Sequence, residues 1–178
     1  TLWDFYMYQI HVLRNVHADP HPGNFLISPD FEVIALDFGC MKRIPEEFYT
    51  PYFQLFKSAV VNNLDSFKQY LKAIDILKEE DDESEQLLFT EMFREIIDYF
   101  TLPFQEETFD FCDLALFEKI STAGEQFLKK AKKLYLDAGR GSKHIIYMNR
   151  TFFGLFSLMF DLQAKNIKIN NYQRLQNS

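Results

Sequence analysis

Apolar positions recur at three- and four-residue intervals over most of this chain, and that period predicts helices. Leu2, Phe5, Tyr6, Gln9, Ile10 and Leu13 share the spacing, so a helix is expected over residues 2–15, ending near Asn15. Residues 46–62, 64–78 and 84–101 repeat the pattern, with Asp65 and Ser84 as early-turn or capping candidates. The acidic run at 79–85 reads as a solvated turn whose carboxylates suit the positive end of the following helix. Residues 114–136 predict one or two further helices, 138–142 a flexible break, and about 143–163 a last helix. In that last helix Phe152, Phe153, Phe156 and Phe160 fall at the spacing of a core stripe.

The period changes between residues 16 and 45. Two prolines and a glycine within 16–24 stop any helix there. Phe25-Leu26-Ile27 and Glu32-Val33-Ile34-Ala35-Leu36 are short apolar runs divided by Ser28-Pro29-Asp30, which reads as a small hairpin. Such a hairpin would bring Asn24, before its first strand, close to Asp37, after its second. The expected fold is therefore mainly α, a helical bundle with one small β-hairpin at residues 25–36.

Composition agrees with a single folded domain over 1–178: hydrophobic residues make up 47% and there are 20 Phe. A net charge of -7 argues against general nucleic-acid binding, which needs clustered Lys and Arg on phosphates. Cys40 and Cys112 lack metal-ligand spacing, so a reducing, cytoplasmic setting is expected. The most apolar stretch, 151–160, is ten residues long, too short for the roughly 18 or more of a membrane span. The chain opens on Thr1 and enters its amphipathic pattern at once, so a fragment with sequence upstream is expected.

The candidate chemistry lies in residues 17–39. Asp19 precedes Asn24 by five positions, and Asn24 precedes Asp37 of Asp37-Phe38-Gly39 by thirteen. A kinase-type phosphotransfer site has this arrangement: one Asp orients the acceptor, while an Asn and a second Asp hold magnesium. Phosphoryl transfer needs in-line positioning and neutralised oxygen charge, and magnesium takes oxygen ligands from a few carboxylates and amides. Pro20 and Pro22 restrict the backbone between the two residues, and Gly23 allows close approach beside Asn24. A zinc site built from His17, Asp19 and His21 lacks a fourth ligand and is disfavoured.

The full string His17-Ala18-Asp19-Pro20-His21-Pro22-Gly23-Asn24, with Leu36-Asp37-Phe38-Gly39-Cys40-Met41-Lys42-Arg43-Ile44-Pro45-Glu46-Glu47 after it, resembles the UbiB/AarF family of atypical kinases. Met148-Asn149-Arg150 and the apolar residues beyond it resemble the family's last helix more weakly. The resemblance implies an α+β kinase-like C-terminal lobe covering 1–178 that works with Mg2+ and ATP. It further implies phosphoryl transfer or ATP hydrolysis in support of isoprenoid (ubiquinone) quinone and lipid metabolism, peripheral to a membrane. Asp19 would be the base or orienting residue, and Asn24 and Asp37 the metal and cofactor ligands. His21 stands two residues after Asp19, where ordinary kinases carry Lys; a histidine is mostly neutral near pH 7 and supplies less charge. The family's N-terminal lobe, with its Ala-rich loop, strand Lys and Lys-x-Gly-Gln motif, is not among these 178 residues, so little ATP binding is expected of this chain alone. Two other readings stand beside this one: a small-molecule phosphotransferase of the aminoglycoside/choline type, and a non-enzymatic pseudokinase lobe that binds a partner or lipid.

The remaining notable residues are read structurally. His17 is expected to hydrogen-bond within the loop, His11 and His144 to be core or surface residues, and Cys40 to fill space. Lys129, Lys130, Lys132 and Lys133 read as a solvated helix face, with anionic lipid heads as the alternative. Arg150 is expected to anchor its helix to a buried carboxylate and is given no catalytic role.

Overall fold

Trp3, Tyr6, Met7 and Ile10 are fully buried, and their spacing winds the start of the chain into helix α1 (Leu2–Tyr8). A π-helical turn, Gln9–Leu13, continues it. Arg14 then adopts a left-handed conformation (φ 53°), which ends the helix just before the expected Asn15. Asn15 instead begins strand β1 (Asn15–His17). The structure, a computed structural model, describes residues 1–115, 117–119, 122, 125 and 141–169. Most of the expected helices at 114–136, residues 138–140 of the expected break and the four lysines from Lys129 to Lys133 lie outside the described residues.

The hairpin forms where the apolar runs predict it, from β2 (Phe25–Ile27) and β3 (Val33–Ala35), antiparallel with Leu26 opposite Ile34. Its turn closes through the Phe31 N–H donating to the Ser28 carbonyl, with Phe31 left-handed at φ 62°. A second ladder was not foreseen: β4 (Met41–Arg43) pairs antiparallel with β1, His17 opposite Met41 and Asn15 opposite Arg43.

From Pro45 onward the architecture is helical, as expected. The span 46–62 divides into α2 (Glu46–Gln54) and α3 (Ser58–Val61), because Leu55 and Phe56 both bury and Lys57 turns extended. Helix α4 (Leu64–Ala73) is capped by Asn63, whose Oδ1 accepts from the Ser66 N–H at 3.0 Å, and Asp65 lies in its first turn, the other of its two expected places. Helix α5 (Glu83–Thr101) starts on a capping box between Asp82 and Glu85, rather than on Ser84. Both true caps sit in extended backbone one residue ahead of the helix, the geometry that lets a short side chain reach back to an orphan N–H. Helix α6 (Lys143–Asp161) matches the predicted last helix, and a two-residue ladder joins β5 (Thr108–Phe109) to β6 (Ile167–Lys168).

An aromatic core unites both ends of the chain. Trp3 lies 5.6 Å from Phe104, 5.3 Å from Phe111 and 6.3 Å from Phe156 between ring centroids, and Phe100 stacks on Phe152 at 4.9 Å. Phe152 and Phe156 are buried and Phe153 and Phe160 half-buried, so the predicted stripe does face the core. The protein is thus mainly helical with small antiparallel sheets. Among the described residues, no helix is long and apolar enough to cross a membrane.

Candidate phosphotransfer site

The two ladders clamp the loop at both ends. On one side the Ala18 N–H donates to the Cys40 carbonyl at 3.0 Å, extending the pairing of β1 with β4. On the other the Leu36 N–H donates to the Asn24 carbonyl at 2.9 Å, extending the hairpin. Residues 19–23 and 37–39 are therefore two short arcs held between the same pair of rungs. This double closure sets Asp37 in the chain next to Leu36, the residue whose N–H bonds Asn24.

Within the arcs, side chains fix one another. Asn24 Nδ2 donates to the Asp19 carbonyl oxygen at 3.0 Å and lies 3.5 Å from Asp19 Oδ2, which turns the Asn24 amide oxygen the other way. Asp37 is exposed, and its Oδ1 accepts from the Gly39 N–H at 2.7 Å, leaving Oδ2 outward. An amide oxygen and a carboxylate oxygen, both accessible, form the hard donor set that magnesium takes when phosphates and water complete its shell. Those residues fit the metal that the sequence implies.

His21 is exposed, and its Nδ1 accepts from the Gly23 N–H at 3.1 Å. That bond engages Nδ1 and leaves Nε2 as the ring's other nitrogen. His17 is buried, its Nδ1 lying 3.5 Å from the Tyr6 hydroxyl, while its backbone N–H donates to Gln9 Oε1 at 2.9 Å. It also meets the Phe38 ring edge-on at 6.5 Å. The histidine supports the loop from below; among the described residues, no group of three or more His, Cys, Asp and Glu is placed to hold a metal ion.

One partner in the site was not legible in the sequence. Arg150 of α6 donates from Nη2 to Asp19 Oδ1 at 2.5 Å. The carboxylate that anchors Arg150 is thus the half-exposed Asp19, not a buried one. This bond, with the guanidinium charge behind it, holds the Asp19 carboxyl below the usual carboxylate range. Gly154, one turn further along α6, explains the approach: a Cβ there would stand 2.9 Å from Pro20 Cγ and 3.2 Å from the Pro20 carbonyl oxygen. No local spacing encodes a contact between residues 131 positions apart.

Comparison with known proteins finds relatives for the segment that carries these residues. Residues 1–71 match the ABC1 atypical kinase-like domain. The AarF domain-containing protein kinase 1 of Mus musculus is 39% identical over 74 residues, 39% of this chain and 14% of that protein. Over this segment the chain is similar to ABC1/AarF atypical kinase-like proteins. The chloroplastic ACTIVITY OF BC1 COMPLEX KINASE 3 of Arabidopsis thaliana is 61% identical over 31 residues, 17% of this chain and 4% of its own length. The probable serine/threonine-protein kinase abkD of Dictyostelium discoideum is 32% identical over 74 residues, 38% of this chain and 11% of its own length. The chain therefore spans a small part of these UbiB/AarF relatives, and the segment they share has kinase-like character.

Proposed function

We propose that this chain is the C-terminal catalytic lobe of a UbiB/AarF-type atypical kinase or ATPase. The observation that supports the reading is the double clamp, two backbone rungs that flank the arcs carrying Asp19, Asn24 and Asp37. Asp19 accepts the proton of an acceptor hydroxyl or water, whose oxygen forms a bond to the terminal phosphorus of ATP. The bond from that phosphorus to the bridging oxygen breaks, and its electron pair leaves on ADP. Asn24 and Asp37 hold magnesium, which supplies charge neutralisation on the phosphate oxygens when bound. His21, through Nε2–H, is a secondary donor on the phosphate side.

Exposed apolar side chains support the presence of a second, N-terminal lobe over the site. Leu26, Ile34 and Leu36 of the hairpin and Phe38 beside Asp37 are 53%, 44%, 51% and 57% exposed. A covering lobe would remove that surface from water and complete a nucleotide pocket that this chain only half forms. The role we assign is support of quinone or lipid metabolism at a membrane surface in the cytoplasm, on the family resemblance.

Asp37→Asn tests the reading in the protein as its gene encodes it. Magnesium-dependent ATP turnover should fall by about a hundred-fold or more, since the amide keeps the shape but removes the charge facing the metal. Turnover at the wild-type rate in that variant would sink the metal assignment, and no turnover in either protein would favour a binding module.

A further inference from the structure

The loop segments 17–24 and 36–39 carry no Lys or Arg of their own. Ordinary kinases carry Lys two residues after the catalytic Asp; here His21 occupies that position, and its Nδ1 is engaged by the Gly23 N–H. Among the described residues, Arg150 is the one cation bonded to any of Asp19, His21, Asn24 and Asp37. Its guanidinium is 58% exposed beside an Asp19 that is 38% exposed, so the pair sits at the mouth of the site rather than inside the core. A guanidinium has five N–H donors in a flat fork. Asp19 is the hydrogen-bond partner of Arg150 among the described residues, and one Nη2 makes that bond. The rest of the fork is open to oxygens arriving at Asp19.

Placement of this charge is built into the packing. Gly154 and Arg150 are four residues apart on one face of α6. The close seat of Gly154 on Pro20 fixes the helix against the residue that follows Asp19. A surface ion pair without such a seat would be worth little and would wander.

We propose that Arg150 is the phosphate-binding cation of this site, supplied by α6 in place of the lysine that the loop lacks. In this structure its charge rests on Asp19; when phosphate oxygens enter, the fork engages them and Asp19 is released toward the acceptor. The proposal rests on the phosphotransfer reading above for the identity of the ligand.

The consequence is a competition between Asp19 and phosphate for one guanidinium, and a double-mutant cycle reads it. Inorganic phosphate is titrated calorimetrically into the full chain at low ionic strength without magnesium. Asp19→Asn should bind phosphate about ten-fold more tightly than wild type, because the competing carboxylate is gone. Adding Arg150→Gln should remove that gain, whereas Asp19→Asn with Arg150→Lys, which keeps the charge, should stay within about three-fold of Asp19→Asn alone. No gain in Asp19→Asn, equal binding with and without Arg150, or a lysine variant that behaves like the glutamine one would each overturn the proposal. Because the titration uses neither magnesium nor turnover, its failure is separate from failure of the Asp37→Asn test.

Discussion

His11 lies outside the phosphotransfer loop, yet its ring should set much of the acid sensitivity of this protein. Nδ1 lies 2.9 Å from the Tyr49 hydroxyl, and the ring packs edge-on against Phe53 at 4.8 Å. Burial, with the Arg14 charge nearby, pushes its pKa down to about 3. An unfolded chain takes up the proton near pH 6.5, whereas the folded one refuses it until about pH 3, so the unfolded state binds more protons between those values. Stability is therefore whole above pH 6.5 and declines as the pH falls toward 3, by up to about 1.4 kcal/mol per pH unit from this one group. Urea unfolding of wild type and His11→Phe between pH 6 and pH 4.5 should show that extra slope in the wild type alone; parallel slopes would refute it. At this scale the sequence offered candidates where spacing marks them, as with Asp19, Asn24 and Asp37, whose roles are those proposed above. It was silent on His11, because the Tyr49 contact is made across 38 residues.

Helices were legible in existence and blurred at their ends, and α5 shows why. Its apolar period points to the right span, but period alone does not choose among Asp81, Asp82 and Ser84 as the cap. The choice falls to Asp82, whose Oδ1 accepts from the Glu85 N–H at 2.9 Å while Glu85 Oε2 accepts from the Asp82 N–H at 3.3 Å. Two orphan donors are satisfied reciprocally, and the carboxylates also face the positive end of the helix. Asp82→Ala should lower stability by about 1 kcal/mol, and Ser84→Ala should leave it within a few tenths. Equal losses on urea unfolding would mean the cap is misassigned. The ladder of β1 with β4 was illegible for a different reason. Each strand is three residues long, and Asn15, Lys42 and Arg43 break any apolar alternation. It exists because the two arcs of the loop need closing at that end.

Across the whole molecule, the two candidate-site arcs come from the first quarter of the chain and the helix that seats against them from its last fifth. The aromatic core accounts for that meeting, since Trp3 and Phe156 share one packed cluster, and α6 is thereby laid along the loop. Gly154 decides how closely it lies. Two opposing effects meet at this residue. Alanine is a better helix former than glycine by about 1 kcal/mol, which alone would stabilise a substitution. Against that, the new methyl would press on the Pro20 ring at 2.9 Å and on its carbonyl oxygen at 3.2 Å, neither of which is a flexible side-chain tip. Overpacking of this kind costs about 1 to 3 kcal/mol, so the net change for Gly154→Ala should be a loss of about 1 kcal/mol. Urea unfolding measures it, and the sign is the discriminating result. A gain in stability would show that α6 stands off from the loop, and the Arg150 to Asp19 contact would then lose its structural support.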